Sequence, residues 1–147
     1  MKAQVSTELL VIVALVLLVF IPLLVMVYLK AGEANQEIAS YQAELAVSRV
    51  ASLANSVGSL GTNTSVTTDV YLPPNTVSLA AKNTGLGSEI ILTVKTAQGQ
   101  NEIVEVVKYP VLGAPIMSAG TAGGWVRIKI TSVYSGTKAT IEIKKVS

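Results

Sequence analysis

Residues 9–29, LLVIVALVLLVFIPLLVMVYL, form an unbroken apolar run on which the organisation of the whole chain depends. The run carries no charged side chain, and Pro22 is its only interruption. At about 1.5 Å per residue it makes a helix roughly 30 Å long, which is enough to cross the hydrocarbon of a membrane. We therefore expect this run to be a membrane-spanning helix.

A short polar motif, Gln4-Val5-Ser6-Thr7-Glu8, stands directly before the apolar run, and only Met1-Lys2-Ala3 precede it. A carboxylate near hydrocarbon is costly and usually has a partner. One interpretation is ordinary helix chemistry, in which Ser6 caps the helix and Glu8 favours its dipole by about 0.3–1 kcal/mol. A capping box, however, places the acid three residues after the serine, and here the gap is two. Capping alone therefore does not explain the motif.

The arrangement resembles the class III signal peptide of archaeal type IV pilins, and the resemblance covers residues 1 to about 30. In that family a short basic leader ends in a small residue, and a Gln-x-Ser-x-Glu motif opens the hydrophobic helix. Here Ala3 fills the small position, and Gln4, Ser6 and Glu8 fill the motif. The resemblance implies that a prepilin peptidase cleaves between Ala3 and Gln4. It also implies that Glu8 meets the free amine of a neighbour's Gln4 in a filament.

Pro22 removes one backbone hydrogen bond from the helix and kinks or loosens the turn before it. One interpretation is a bend that lets subunits pack in a filament. The other is a tolerated proline, which is common in transmembrane helices. The sequence leaves both open.

Helix-forming residues continue beyond Lys30 to about residue 59, with one apolar stripe at the helical period. The stripe consists of Ala39, Ala43, Ala46, Val50, Leu53, Val57 and Leu60. A second, shorter track beside it consists of Ile38, Tyr41 and Leu45. We expect residues 31–60 to be an amphipathic helix whose larger stripe residues pack on a C-terminal domain. Gly58 and Gly61 are expected to end this helix.

From residue 61 onward the pattern is typical of strands, with runs rich in Val, Ile, Thr and Tyr. The predicted strands are residues 66–72, 76–81, 89–95, 103–109, 125–132 and 139–145. Turn signals between them include Pro73-Pro74-Asn75, Gln98-Gly99-Gln100-Asn101 and Tyr134-Ser135-Gly136-Thr137. Six short strands with regular turns predict an antiparallel sheet curled into a small sandwich or barrel.

The predicted fold class is therefore α+β, with one long N-terminal helix packed on an antiparallel β domain, and the resemblance makes it type IV pilin-like. We divide the chain into a leader at residues 1–3 and a hydrophobic helix at 4–30. An amphipathic continuation follows at 31–60, and the β domain occupies 61–147.

The composition excludes several kinds of chemistry. The chain has no Cys and no His, which removes thiol nucleophiles, disulfides, imidazole bases and the common zinc sites. A formal charge of +2 with scattered basic residues argues against a nucleic-acid surface. Gly85-Leu86-Gly87 and the glycines of residues 120–124 are predicted turns, because neither opens a helix and neither has a Walker lysine. We predict no catalytic residue, no metal, no cofactor and no enzyme activity.

Two single residues need separate interpretation. Trp125 is the only Trp and begins a predicted strand, and we expect a core anchor rather than a ligand platform. Asn63 opens the sequon Asn63-Thr64-Ser65 in a predicted loop. It is a candidate N-glycosylation site, and the alternative is a sequon that arose by chance.

The leading hypothesis is a structural subunit of an archaeal type IV pilus, cleaved after Ala3 and polymerised through its hydrophobic helix into a surface filament for adhesion. The resemblance implies as partners identical subunits, the prepilin peptidase, an assembly ATPase and a membrane platform protein. It places the chain in the cytoplasmic membrane first and in an extracellular pilus afterwards. The runner-up is a membrane-anchored or secreted cell-surface module whose β domain binds a sugar or a protein. Archaellin is a third possibility within the filament class.

Overall fold

The computed structural model describes residues 2–84, 87–117, 123–135 and 138–146, without the side chains of residues 2–6 and 135. The described chain contains one helix and seven strands. They are α1 (Lys2–Leu60), β1 (Ser65–Leu72), β2 (Thr76–Asn83), β3 (Ser88–Thr96), β4 (Gly99–Val107), β5 (Ala114–Met117), β6 (Gly124–Ser135) and β7 (Lys138–Lys145). The chain divides into two compact units, Met1–Glu37 and Ile38–Ser147.

The first unit consists of the N-terminal part of α1. Every side chain from residue 9 to residue 29 is exposed. The helix passes through Pro22 without leaving the α-helical state. Because proline has no N–H, Pro22 cannot donate to the carbonyl of Leu18, its partner in the regular pattern. The helix is thus weakened by one hydrogen bond at this point, but it is not interrupted.

The second unit contains two antiparallel sheets, with strand orders β1-β6-β7 and β4-β3-β2-β5. A short parallel bridge between Val111 and Ile141 joins them. There, Leu112 N–H donates to the Ile141 carbonyl at 2.8 Å, and Ile141 N–H donates to the Pro110 carbonyl at 2.8 Å. The sheets therefore meet along β7, and β1 and β4 are the outer strands of the combined order. This confirms the predicted α+β class with a helix packed on antiparallel sheets.

The C-terminal part of α1 is held beside both outer strands. Arg49 donates a hydrogen bond to the Thr68 hydroxyl of β1 at 3.4 Å. The backbone N–H of Lys108, just after β4, donates to the Asn55 side-chain oxygen at 2.8 Å. The helix buries mostly small residues against the sheets: Ala43, Ala46, Val47, Val50, Ala51, Ala54 and Val57. Both sheets share one core with it.

The prediction of a buried apolar stripe is wrong at its C-terminal end. Val50 and Val57 are buried, but Leu60 is 69% exposed. Leu60 comes three heptads after Ala39, and a seven-residue repeat drifts by about 20° per heptad on a straight helix, so Leu60 lies roughly 60° around the helix from Ala39. Val47, Ala51 and Ala54 fill the opposite margin of the buried face instead.

The two glycines near the helix end have different roles. Gly61 has a left-handed φ of +97°, which is typical of the residue that ends a helix. Gly58 does not end the helix as predicted, because α1 continues to Leu60. A methyl group at Gly58 would overlap the ring of Tyr109. Gly58 is therefore a packing position at which the helix meets the segment after β4.

Each of the six predicted strands overlaps an observed strand, and the six correspond to β1–β4, β6 and β7. β5 was not predicted, because it has four residues and includes Pro115, but it pairs with β2 at the edge of its sheet. β4 already begins at Gly99, so the turn is the two-residue loop 97–98 rather than residues 98–101. The predicted turns at 85–87, 120–124 and 134–137 lie partly outside the described residues.

We expect Gly58→Ala to lower the free energy of unfolding of the second unit by about 1–3 kcal/mol, because the new methyl group overpacks the contact with Tyr109. Thermal unfolding followed by circular dichroism measures this. Gly32→Ala is the matched control, since its added methyl group meets nothing within 4 Å and alanine favours a helix. Equal melting temperatures for both variants would contradict the packing role of Gly58.

Candidate functional site

The motif residues lie in the first turns of α1. The helix begins at Lys2, so the backbone of Ala3, Gln4 and Ser6 is helical. Ser6 is therefore inside the helix and is not its N-cap, which corrects the capping interpretation. Glu8 lies beyond the first turn, and its side chain is exposed. The side chains of Ala3, Gln4 and Ser6 are outside the described residues.

The apolar run after the motif has the length and composition of a membrane-crossing helix. Its exposed side chains include Leu18, Phe20 and Met26, each more than half accessible. Glu8 and Pro22 are separated by fourteen residues, or about 21 Å along a helix, so the two do not form one site. Chemically, this segment presents a continuous apolar surface with one carboxylate near its start.

Asn63 lies in the turn between α1 and β1. It has a left-handed φ of +65°, which asparagine tolerates better than most residues. Its N–H donates to the Ser132 carbonyl at 2.9 Å, and Ser132 N–H donates to the Thr64 carbonyl at 2.9 Å. The backbone of the sequon is thus fixed on β6, while the Asn63 side chain is exposed and accessible to a modifying enzyme.

The prediction for Trp125 is wrong, because this residue is 72% exposed. Successive side chains of a strand point to opposite faces, and Val126 is buried, so Trp125 must face outward. The inward alternation of Val126, Ile128 and Ile130 was the signal in the sequence that could have revealed this. The Trp125 ring contacts the ring of Tyr71 edge to face, with centroids 5.5 Å apart and an interplanar angle of 65°.

An ion pair lies next to this aromatic pair on the same sheet face. Arg127 donates from Nε to Asp69 Oδ1 at 2.8 Å and from Nη2 to Asp69 Oδ2 at 3.1 Å. The hydrogen bond from Arg127 holds the pKa of Asp69 below its ordinary value. Desolvation opposes this shift, and the positive charges of Arg127 and Arg49 add to it. Both groups remain accessible to solvent.

These side chains border a groove of about 570 Å³ between α1 and β1. It is lined by Arg49, Thr67, Thr68, Asp69, Trp125 and Arg127. We call this surface the aromatic–ionic face. It consists of the outward side chains of β1 and β6 and of Arg49 from α1: Thr67, Asp69, Tyr71, Trp125, Arg127, Lys129 and Arg49. Its residues could not be grouped from the sequence alone, because Asp69 and Arg127 are 58 residues apart in the chain. Within the described residues, no group of three acidic, His or Cys side chains could hold a metal ion.

No protein-family model, curated protein or solved structure matches this chain.

We expect the pKa of the Asp69 carboxyl to lie below its ordinary value in the folded chain and to return toward that value in Arg127→Gln, since the guanidinium stabilises the charged form. Because the pKa of Asp69 is lower in the folded chain than in the unfolded chain, the Asp69–Arg127 pair contributes its full stability above the unfolded pKa. This contribution is lost as the pH falls through the folded pKa. Carboxyl NMR titration measures the shift. Lys129→Gln, a charge removed from the same strand, is the control, and an unchanged Asp69 titration in Arg127→Gln would contradict this assignment.

Proposed function

We propose that this chain is a pilin, the structural subunit of an archaeal type IV pilus. The observation that carries the proposal is the fully exposed apolar surface of residues 9–29, opened by the Gln4-x-Ser6-x-Glu8 motif. Such a surface needs an apolar neighbour, which either lipid or other copies of the same helix can supply. A subunit that passes from membrane to filament uses both neighbours in turn.

Filament formation then depends on packing more than on exclusion of water. Lipid tails are as apolar as the helix side chains, so the transfer from lipid to a helical bundle gains little from the hydrophobic effect. Close contacts between helices must hold the polymer instead. Pro22 supports this use, since a helix that lacks one hydrogen bond adjusts its course more easily at that turn.

Glu8 has a role in assembly that capping cannot supply. Cleavage between Ala3 and Gln4 creates a free amine at Gln4, four residues before Glu8. In a bundle with axial offsets, the amine of one subunit meets the Glu8 carboxylate of a neighbour. The pair neutralises two charges within an apolar environment, where each alone would be costly.

The partners of this proposal are a prepilin peptidase, an assembly ATPase, a membrane platform protein and identical subunits. The chain begins in the cytoplasmic membrane and ends in an extracellular filament, where its β domain meets solvent and other surfaces for adhesion. We propose no catalytic role for it. Asn63, exposed in its turn, is the candidate for a glycan on that outer surface.

The second candidate function is a membrane-anchored cell-surface binding module. The observation in its favour is the aromatic–ionic face, which exposes an indole and a fixed ion pair on one sheet. In that case residues 9–29 are a simple anchor, and the Gln-x-Ser-x-Glu motif has no function in assembly. The N-terminal residue of the mature chain separates the two candidates.

We expect the mature surface protein to begin at Gln4. Intact-mass measurement of the protein from its cells checks this, because loss of residues 1–3 gives a defined decrease in mass. A chain that still begins at Met1 would favour the simple anchor. A glycan adds mass to the same spectrum, and Asn63→Gln is the control that should remove that addition alone.

We expect Glu8→Gln to insert and fold normally but to give far fewer filaments, since an unmatched buried charge costs about 3–5 kcal/mol. Electron microscopy of sheared filaments and immunoblots of the membrane fraction measure the two effects separately. Glu44→Gln removes an exposed acid from the same helix and should leave the filament yield unchanged. Normal filaments from Glu8→Gln would reduce Glu8 to a residue without an assembly role.

A further inference from the structure

The outer face of the three-stranded sheet arranges its side chains in rows. In the register of β1 with β6, Tyr71 lies opposite Trp125, Asp69 opposite Arg127, and Thr67 opposite Lys129. Residues two apart on a strand share a face and are separated by about 7 Å. An aromatic row, an ion-pair row and a Thr–Lys row therefore follow one another along the same face.

The aromatic row offers a flat apolar platform. Trp125 contacts Tyr71 by an edge-to-face pair and is otherwise largely open to solvent. An exposed indole beside fixed polar groups suits a ligand that is apolar on one face and polar at its rim. A pyranose ring has this construction, since its C–H bonds form one face and its hydroxyl groups project around the edge.

The ion-pair row supplies polar groups in a fixed geometry. Arg127 uses its Nε–H and one Nη2–H for Asp69, which leaves three of its five N–H donors for a ligand. Asp69 is held in place by the same pair and can accept hydrogen bonds from hydroxyl groups. The Thr67 and Thr68 hydroxyls line the groove beside it.

The charge around the groove is positive. Asp69 is the one acid that lines it, while Arg49 and Arg127 line it from two elements and Lys129 follows on β6. Among the described residues, Glu142 on the neighbouring strand is paired with Lys144 at 2.7 Å. Three cations against one carboxylate favour an anionic ligand over a neutral one.

We infer that the aromatic–ionic face binds an acidic polysaccharide, with a sugar ring stacked on Trp125 and its carboxylate held by Arg49 and Arg127. The three rows follow one another along the strands. A chain of sugar units is therefore bound along β1 rather than at a single point. The site lies within the second unit, so the inference does not rest on which of the two candidate functions is correct.

The sequence provides a direct probe, because Trp125 is the only Trp of the chain. The full chain in neutral detergent is titrated with polygalacturonate while its tryptophan fluorescence is recorded. We expect saturable binding, a shift of the emission and protection of Trp125 from acrylamide quenching. Methyl-esterified polygalacturonate has the same rings without the charge and should bind at least about tenfold more weakly, as expected for loss of a charged hydrogen bond.

Variants at three positions test the assigned roles. Arg49→Gln and Tyr71→Ala should each weaken binding by about tenfold or more, measured by fluorescence. Trp125→Ala should abolish retention on immobilised polygalacturonate, whereas Trp125→Phe keeps an aromatic platform and should retain part of it. Tyr134→Ala is the matched control, because Tyr134 is an aromatic residue of the same strand, is 68% exposed and lies away from the groove. All these side chains are on the surface, and circular dichroism verifies the fold.

Four results would overturn the inference. They are the absence of polygalacturonate binding, binding of inorganic polyphosphate as tight as that of polygalacturonate, equally tight binding of the esterified polymer, and wild-type affinity in both single variants, Arg49→Gln and Tyr71→Ala. A preference for anionic vesicles over polygalacturonate would assign the face to a membrane surface. A fluorescence change that depends only on protein concentration would assign it to a second copy of the chain. Either result also overturns the inference.

Discussion

The apolar surface of residues 9–29 has to be covered by something outside its own side chains, and the rest of the molecule depends on this constraint. Burial of apolar area is worth about 25 cal/mol per Å², so a helix with this whole surface in water would carry a large penalty. Lipid removes the penalty completely, and so does a bundle of like helices. Because both environments are apolar, the hydrophobic effect alone distinguishes little between them.

The second unit solves a different problem, which is how to stabilise a small domain without disulfides. Its two sheets meet along β7, and α1 is tied to the outer strands β1 and β4 through Arg49 and Asn55. Alanine and valine on the buried helix face allow close packing, and Gly58 admits the ring of Tyr109.

The helix and the longer strands could be predicted from the sequence, because apolar periodicity alone identifies them. The buried stripe was correct at Val50 and Val57, but its end at Leu60 was wrong, since helical drift is a small angle that accumulates over several turns. β5 carried too little pattern to be recognised. The Asp69–Arg127 pair could not be found, because the register that joins β1 to β6 is a property of the folded sheet. Trp125 was misjudged because its size was given more weight than its position in the strand alternation.

The pairing of β1 with β6 also has a consequence for the order in which the domain forms. β2, β3 and β4 are joined by short turns and can pair as soon as they are synthesised, since closing a short loop costs little entropy. β1 must instead wait for a strand that begins more than fifty residues later, at Gly124. During that interval α1 lacks the part of the core that β6 and β7 contribute. Translation of the last strands is therefore the step that completes the domain, and a chain interrupted before β6 leaves β1 without its partner strand and α1 without the three-stranded sheet.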